Sequence, residues 1–417
     1  MKIILSHPLG NANVRAAAKS LLEAEMLYTF ETTIATFSGS LLDNIGAFSS
    51  FSEIRRRRHL IELKTFTNTW PWLEAGRLIA SKAGLKSLTQ HETGILSVDS
   101  VYKNLDHHIA SKLKKMAQQG LKGIYAYDDG AAASFSKAKE LGLQCFYDLP
   151  TGYWRAAQEL LDTEPVRWPE WSATMLGICD SNAKLARKDD ELRMADRIFV
   201  ASQFTAKTLK KFPGQLAPIE VIPYGFPPVS SNRDYSQLSD KKLLRLLFVG
   251  TLSQQKGIAD LFAAVELLDC KVSLTIIGRK VGGNCPTLDA ALAKHHWIPS
   301  LPHDQVLEQM REHDVLVFPT LFDGFGLVIT EAMSQGTPVI TTERSAGPDL
   351  ITNGLNGWLV NAGSVQSLKA AIENLVNDPE IIVKAGKEAM KTARARPWEK
   401  YGRDLYEAIQ KHFNSAT

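Results

Sequence analysis

Short apolar runs alternate along this chain with segments of helical spacing, the rhythm of a parallel sheet covered by helices. Lys2–Ser6 is apolar and breaks at His7-Pro8-Leu9-Gly10, and Asn13 to Leu27 follows with Val14, Ala17, Ala18, Leu21 and Leu22 on one helix face. Gly123–Tyr127, Gln144–Tyr147 and Asp196–Ser202 read as further strands, the last leading into a helical Phe204–Lys211. Pro223-Tyr-Gly-Phe-Pro-Pro-Val-Ser-Ser-Asn-Arg is rich in turn formers and marks a domain boundary. Beyond it the pattern restarts. Leu244–Val249, Val272–Ile277, Asp314–Pro319 and Pro338–Thr341 read as strands, and Ile258–Leu268 as an amphipathic helix. Trp398–Phe413 has helical spacing and is placed to cross back onto the first domain. Phe37 to Leu96 fits neither period; a segment of this kind between strands often forms an acceptor-side lobe.

A chain of 417 residues exceeds one ordinary core and predicts two α/β domains, here 1–225 and 226–397, with 398–417 as the returning helix. A formal net charge of +3 gives no argument for nucleic acid as a partner. The four cysteines, Cys145, Cys179, Cys270 and Cys285, have no metal-ligand spacing and read as reduced thiols. The first apolar run is too short for a signal peptide, and nothing approaches the roughly 20 apolar residues of a membrane span. A cytoplasmic protein is expected, with peripheral attachment at the inner membrane face left open.

The strongest chemical signal is Asp323-Gly-Phe-Gly-Leu-Val-Ile-Thr-Glu331-Ala-Met-Ser-Gln-Gly336-Thr-Pro338. An acid ends a strand, glycines admit close backbone approach, a helix opens, and a second acid lies inside it. In a parallel sheet this corner is where ligands bind. Glu331 can bridge the two hydroxyls of a ribose, and Asp323 can accept from sugar hydroxyls. The plain alternative is a glycine turn with a solvated glutamate. Phe248-Val-Gly250-Thr251-Leu-Ser-Gln-Gln-Lys256-Gly257 repeats the strand–glycine–helix order, and Lys256 can neutralise a diphosphate or stand as a surface lysine. Its spacing is not that of a P-loop.

These stretches, with Asp314–Val360, Val249–Leu268 and Ala195–Gly225, resemble the retaining glycosyltransferases of the GT-B fold in family 4, also called glycosyl transferases group 1. The likeness is tight in the second half and looser in the first. It implies two Rossmann-like domains whose parallel sheets face each other across a cleft. It implies transfer of a sugar from a UDP- or GDP-linked donor to a hydroxyl acceptor, in polysaccharide, lipid-linked glycan or glycoconjugate synthesis. Glu331 then holds the ribose and Asp323 the sugar. Gly250, Thr251, Gly324, Phe325, Gly326, Leu327 and Val328 line the donor site, and Lys256 meets the diphosphate. The family's basic residue at the position of Thr251 is absent, with Arg279 as a candidate replacement; Asp323 stands where Glu is usual. No cofactor or metal is implied, and Asp128-Asp129 lacks Asp-x-Asp spacing.

On the acceptor side the resemblance points to Gly10, Asn11 and Arg15, with His7 at the end of the first strand. The family's middle-strand histidine is missing; Asp148 lies near its place, either as a catalytic-face replacement or as a turn cap. Asp128 and Asp129 read as caps of the next helix and a weak site candidate. Arg55–Arg58 reads either as a solvated face or as a basic patch for anionic lipid or a lipid-diphosphate acceptor. A non-catalytic sugar- or nucleotide-binding protein of the same fold, a nucleotide-sugar epimerase and a phosphorylase are the competing readings. The phosphorylase lacks a Schiff-base lysine environment.

Overall fold

The computed structural model describes residues 1–40, 57–175, 180–231, 233–236, 243–268 and 271–416. Arg55, Arg56, Cys179 and Cys270 lie outside the described residues. The strands are β1 Lys2–Ser6, β2 Leu27–Thr32, β3 Thr36–Phe37, β4 Arg58–His59, β5 Thr67–Thr69, β6 Leu121–Tyr127, β7 Gln144–Leu149, β8 Arg197–Val200 and β9 Ile219–Val221. They continue with β10 Leu244–Val249, β11 Val272–Ile277, β12 His296–Ile298, β13 Val315–Phe318, β14 Val339–Thr342 and β15 Gly357–Val360.

A seven-stranded sheet runs β5-β2-β1-β6-β7-β8-β9, and a six-stranded sheet runs β12-β11-β10-β13-β14-β15. Neighbouring strands pair in parallel in both sheets. Helices cover both faces, so central strands read as unbroken apolar runs: Val315–Phe318 is buried at every position. Each sheet winds outward in both directions from its first strand. The order reverses between β1 and β6 in one and between β10 and β13 in the other, and in open sheets of this kind the loops leaving the strands at such a reversal flank the ligand crevice. This is the GT-B architecture of two Rossmann-like sheets.

The first helix is shorter than its spacing predicts. It spans Ala12–Glu23 and stops where Glu25 turns left-handed at φ 54°, which frees Leu27 to open β2. The stretch that resisted assignment holds the β3–β4 pair, β5 and the helix Trp72–Lys82.

The connection between the sheets passes beside the returning chain. Phe226 N–H donates to Arg396 O at 2.9 Å, and Arg396 Nε donates to Pro223 O at 2.9 Å. The last helix, Trp398–Ala416, then lies against Ala12–Glu23. Lys19 pairs with Glu399 at 3.3 Å, and Phe413 packs 5.4 Å from Phe146 of β7.

The arginine run does not form one basic surface. Arg57 is buried, paired with Glu74 and within 3.4 Å of Thr33 Oγ1, whereas Arg58 is exposed. A charged run that enters a strand alternates in and out, which takes Arg57 away from any membrane. Among the described residues no helix is long and apolar enough to cross a bilayer.

Candidate functional site

The loops leaving β10 and β13 flank the reversal point of the second sheet, and they meet. After β10 the chain passes Gly250 and Thr251 and makes a tight turn, Gln254–Lys256, before the helix Ile258–Glu266. After β13 it runs through Pro319–Gly326 into the helix Leu327–Ser334. Lys256 Nζ donates to Asp323 Oδ2 at 2.5 Å, joining residues 67 positions apart, with side chains 20% and 21% exposed. Both groups are therefore held in place yet reachable. Asp323 Oδ1 also accepts from Phe325 N–H at 3.2 Å, which fixes its carboxylate over the loop.

Gly326 precedes the helix at φ 83°, a left-handed conformation that side chains other than glycine adopt at a cost. It swings the chain so that the first N–H groups of Leu327–Ser334 have no intrahelical acceptor and point out of the helix start. Glu331, one turn in, is 22% exposed and pairs with His303 Nε2 at 3.0 Å. That hydrogen bond raises the His303 imidazole above its ordinary value, with burial opposing it. The charge of Arg15, from the first domain, pushes the same imidazole down. No sequence pattern marks His303; only the contact reveals it.

Two of the glycine-loop residues make contacts of their own. The N–H of Phe325 is taken by Asp323, and its ring is buried 4.8 Å from Tyr224. Gly324 packs on the first domain, where a Cβ would lie 2.2 Å from Pro150 O and 2.7 Å from Thr151 Cα. Its carbonyl accepts from Ser202 Oγ at 2.5 Å and Thr205 Oγ1 at 2.9 Å. Gly324 is thus a domain contact through its Cα and its carbonyl. Gly324→Ala is expected to cost about 1–3 kcal/mol by overpacking, read as a lower midpoint in urea; an unchanged midpoint would contradict this packing.

Gly250 and Thr251 run beside Gly278 and Arg279. Gly250 N–H donates to Ile277 O and Leu252 N–H to Arg279 O, each at 3.0 Å. Thr251 and Arg279 are both exposed on this edge, so Arg279 occupies the neighbourhood where the family's basic residue is missing. Leu327 and Val328 are half-buried at the helix start.

On the facing side, His7 ends β1, buried 4.8 Å from Tyr127 at the end of β6. Leu9 N–H donates to its Nδ1 at 2.9 Å, and burial pushes the imidazole down to about 4. Gly10 lies against the ring of His59, Asn11 is exposed, and Arg15 Nη1 donates to Gly10 O at 2.6 Å. His59 was not singled out by its sequence. It is buried in β4 with neither ring nitrogen hydrogen-bonded among the described residues, and burial, with Arg15 and His7 nearby, pushes it down to about 4.

Asp148 does not belong to this face. It is buried beneath the C-terminal helix, enclosed by Tyr125, Tyr224, Tyr401 and Leu405, and accepts from Tyr125 Oη at 2.5 Å. Along β7 it shares the side of Phe146, which packs on that helix, so it is neither a catalytic-face residue nor a turn cap. Asp128 and Asp129 are tied into an ionic cluster with Lys188 and Arg187. The amides after them are capped from elsewhere: Glu191 takes those of Asp129, Ala131 and Ala132, and Asp106 those of Ala133 and Ser134. A cavity of about 780 Å³ lies between Trp168–Trp171 and the second domain, lined by Trp171, Phe262 and His295, and none of the residues of these loops lines it.

The second sheet thus carries a lysine–acid pair at the point where its strand order reverses. Residues 230–392 match the family described as Glycosyl transferases group 1. The glycogen synthase of Mycobacterium tuberculosis is 27% identical over 254 residues, covering 57% of this chain and 57% of that protein. A D-inositol 3-phosphate glycosyltransferase of Arthrobacter sp. is 28% identical over 237 residues, 51% of this chain and 56% of that protein. The chain thus spans little more than half the length of these curated relatives. Among solved structures, sucrose-phosphate synthase from Thermosynechococcus elongatus superimposes with a TM-score of 0.68 at 17% identity over 100% of both chains. Anabaena HepE in complex with UDP and glucose gives 0.62 at 17% identity over 99% of this chain and 100% of that one. At such identities the likeness is one of fold.

Proposed function

We propose that this chain is a retaining glycosyltransferase that moves a sugar from a UDP- or GDP-linked donor to a hydroxyl acceptor. The observation that carries this reading is the Lys256–Asp323 pair at the reversal point of the second sheet, with Glu331 one helical turn beyond. HepE, whose structure holds UDP and glucose, supports a nucleoside diphosphate as the ligand class.

In this reading Lys256 meets the diphosphate, and Arg279 and the N–H groups of Leu327 and Val328 add positive potential. That set needs no metal to offset the departing charge. Asp323 accepts from hydroxyls of the transferred sugar. Glu331 holds the ribose, exchanging or sharing its contact with His303. The acceptor enters from the loop of His7, Gly10, Asn11 and Arg15. Closure of the two sheets aligns its hydroxyl with the anomeric carbon. The leaving phosphate takes the hydroxyl proton, and configuration is retained. The products are components of polysaccharide, lipid-linked glycan or glycoconjugate, made in the cytoplasm. A membrane contact through the arginine run would have to do without Arg57.

A thermal-shift screen against UDP-, GDP- and ADP-sugars identifies the donor. Slow nucleotide release from that donor without acceptor then separates a transferase from a binding protein. No stabilisation by any donor would overturn the proposal, and binding without release would leave a non-catalytic protein. Glu331→Ala is expected to weaken donor binding by about 1–3 kcal/mol, the cost of removing one polar partner, measured by calorimetry. Unchanged affinity would remove Glu331 from the ribose.

A further inference from the structure

The chain between β7 and β8 leaves the first domain before it returns. Both strands belong to the first sheet, yet the intervening segment Glu164–Thr174 is built into the second domain. Trp171 is buried there, stacked 5.7 Å from Phe262 of the helix Ile258–Glu266. Gly283 N–H donates to Ala173 O at 3.2 Å. The segment ends on one side chain, Gln254, which has no solvent exposure.

Gln254 is held at both ends. Its Nε2 donates to Glu164 Oε2 and to Asp260 Oδ2, each at 2.8 Å, and its backbone N–H donates to Thr174 Oγ1 at 3.1 Å. Arg167 closes the network, donating to Glu164 Oε1 at 2.5 Å and Asp260 Oδ1 at 2.6 Å. Glu164, Thr174 and Asp260 are buried as well. Buried charges of this kind are held by a full set of partners, and loss of one is felt by all. Gln254 opens the three-residue turn that Lys256 closes. The middle residue is fixed from the other side, since Leu321 N–H donates to Gln255 O at 2.9 Å. The turn therefore has one anchored corner in the arm, one in the loop after β13, and its third corner at Asp323.

We propose that the arm Glu164–Thr174 is a positioning element for Lys256, acting through Gln254, so that a segment from the first domain's chain sets the diphosphate contact of the second. The inference rests on the reading of Lys256 as that contact. Glu164, Thr174 and Gln254 touch no substrate; they fix the turn from which the lysine reaches.

The test compares UDP with UMP, or GDP with GMP where the wild type prefers guanosine, because the ratio of the two affinities isolates the β-phosphate contact. Lys256→Ala is expected to remove most of the preference for the diphosphate. Glu164→Ala and Thr174→Val are each expected to lower the ratio by about tenfold, the scale of one lost buried hydrogen bond, with monophosphate affinity retained. Glu164→Gln keeps an acceptor for Gln254 and should restore it. In a Lys256→Ala background the arm variants should change the ratio no further. Folded arm variants with a wild-type ratio, or with both affinities falling by the same factor, would overturn the proposal. Should Glu164→Ala fail to fold, Thr174→Val, which removes one hydroxyl, decides alone. A wild-type ratio in Lys256→Ala itself would instead sink the diphosphate assignment, and with it this inference.

Discussion

Alanine at position 256 is expected to lower turnover by about 10²–10³-fold, the cost of losing one preorganised group at a developing charge. The lysine is placed for that role by three features. Its ammonium lies 2.5 Å from Asp323, it is only 20% exposed, and it stands 5.7 Å from the face of Phe318. A partly dry, prealigned cation stabilises departing charge without reorganising at the moment of reaction. The substitution also leaves Asp323 without its partner, so Lys256→Met and Asp323→Asn belong in the same experiment. If the lysine acts on the diphosphate, Lys256→Met lowers turnover further in an Asp323→Asn background than Asp323→Asn does alone, a comparison in which the removed charge and the altered sugar contact are common to both. Initial rates at saturating donor measure this; wild-type turnover in Lys256→Ala would take Lys256 out of the reaction.

The second-domain site was legible because each of its residues follows a strand–glycine–helix pattern that is local in sequence. Asp323, Glu331 and Lys256 all announce themselves this way, and the fold supplies the fact that the first and last of them touch. The face of Asp148 is legible in the sequence as well: Phe146 and Asp148 share one side of β7, and an aromatic core residue on that side argues against a solvent-facing acid two positions on. Arg57 was hidden by the same alternation. A run of arginines looks like surface until the strand it enters shows every second side chain turning inward, where Glu74 waits. His303 and the arm at Glu164 were beyond any reading of sequence. Their partners, Glu331 and Gln254, lie 28 and 90 residues away, and no period or cap signals a contact of that range.

Asp148→Asn is expected to make the protein more stable above pH 7 while leaving turnover intact. Burial pushes the Asp148 carboxyl up to about 7, the Tyr125 hydroxyl opposes this, and Asp128 adds to it. Tyr401 and Leu405 of the C-terminal helix close over it. In the unfolded chain the same group titrates near 3.8. Below that pH both states hold the proton and Asp148 has no effect on pH dependence. Between it and about 7 the unfolded chain releases a proton that the folded chain keeps, so stability falls as pH rises; above about 7 the loss is complete. Roughly three pH units at about 1.4 kcal/mol each put the full loss near 4 kcal/mol. Asparagine keeps an acceptor for Tyr125 and cannot ionise. His7 and His59, held neutral by burial, give the opposite slope at low pH, but they do so in both proteins and drop out of the difference. Urea unfolding of the two proteins at pH 4.5 and pH 8 isolates that difference. The asparagine variant should gain stability relative to wild type on going to the higher pH. Parallel curves would mean that Asp148 is not held protonated, and a large loss of turnover would return it to the catalytic face.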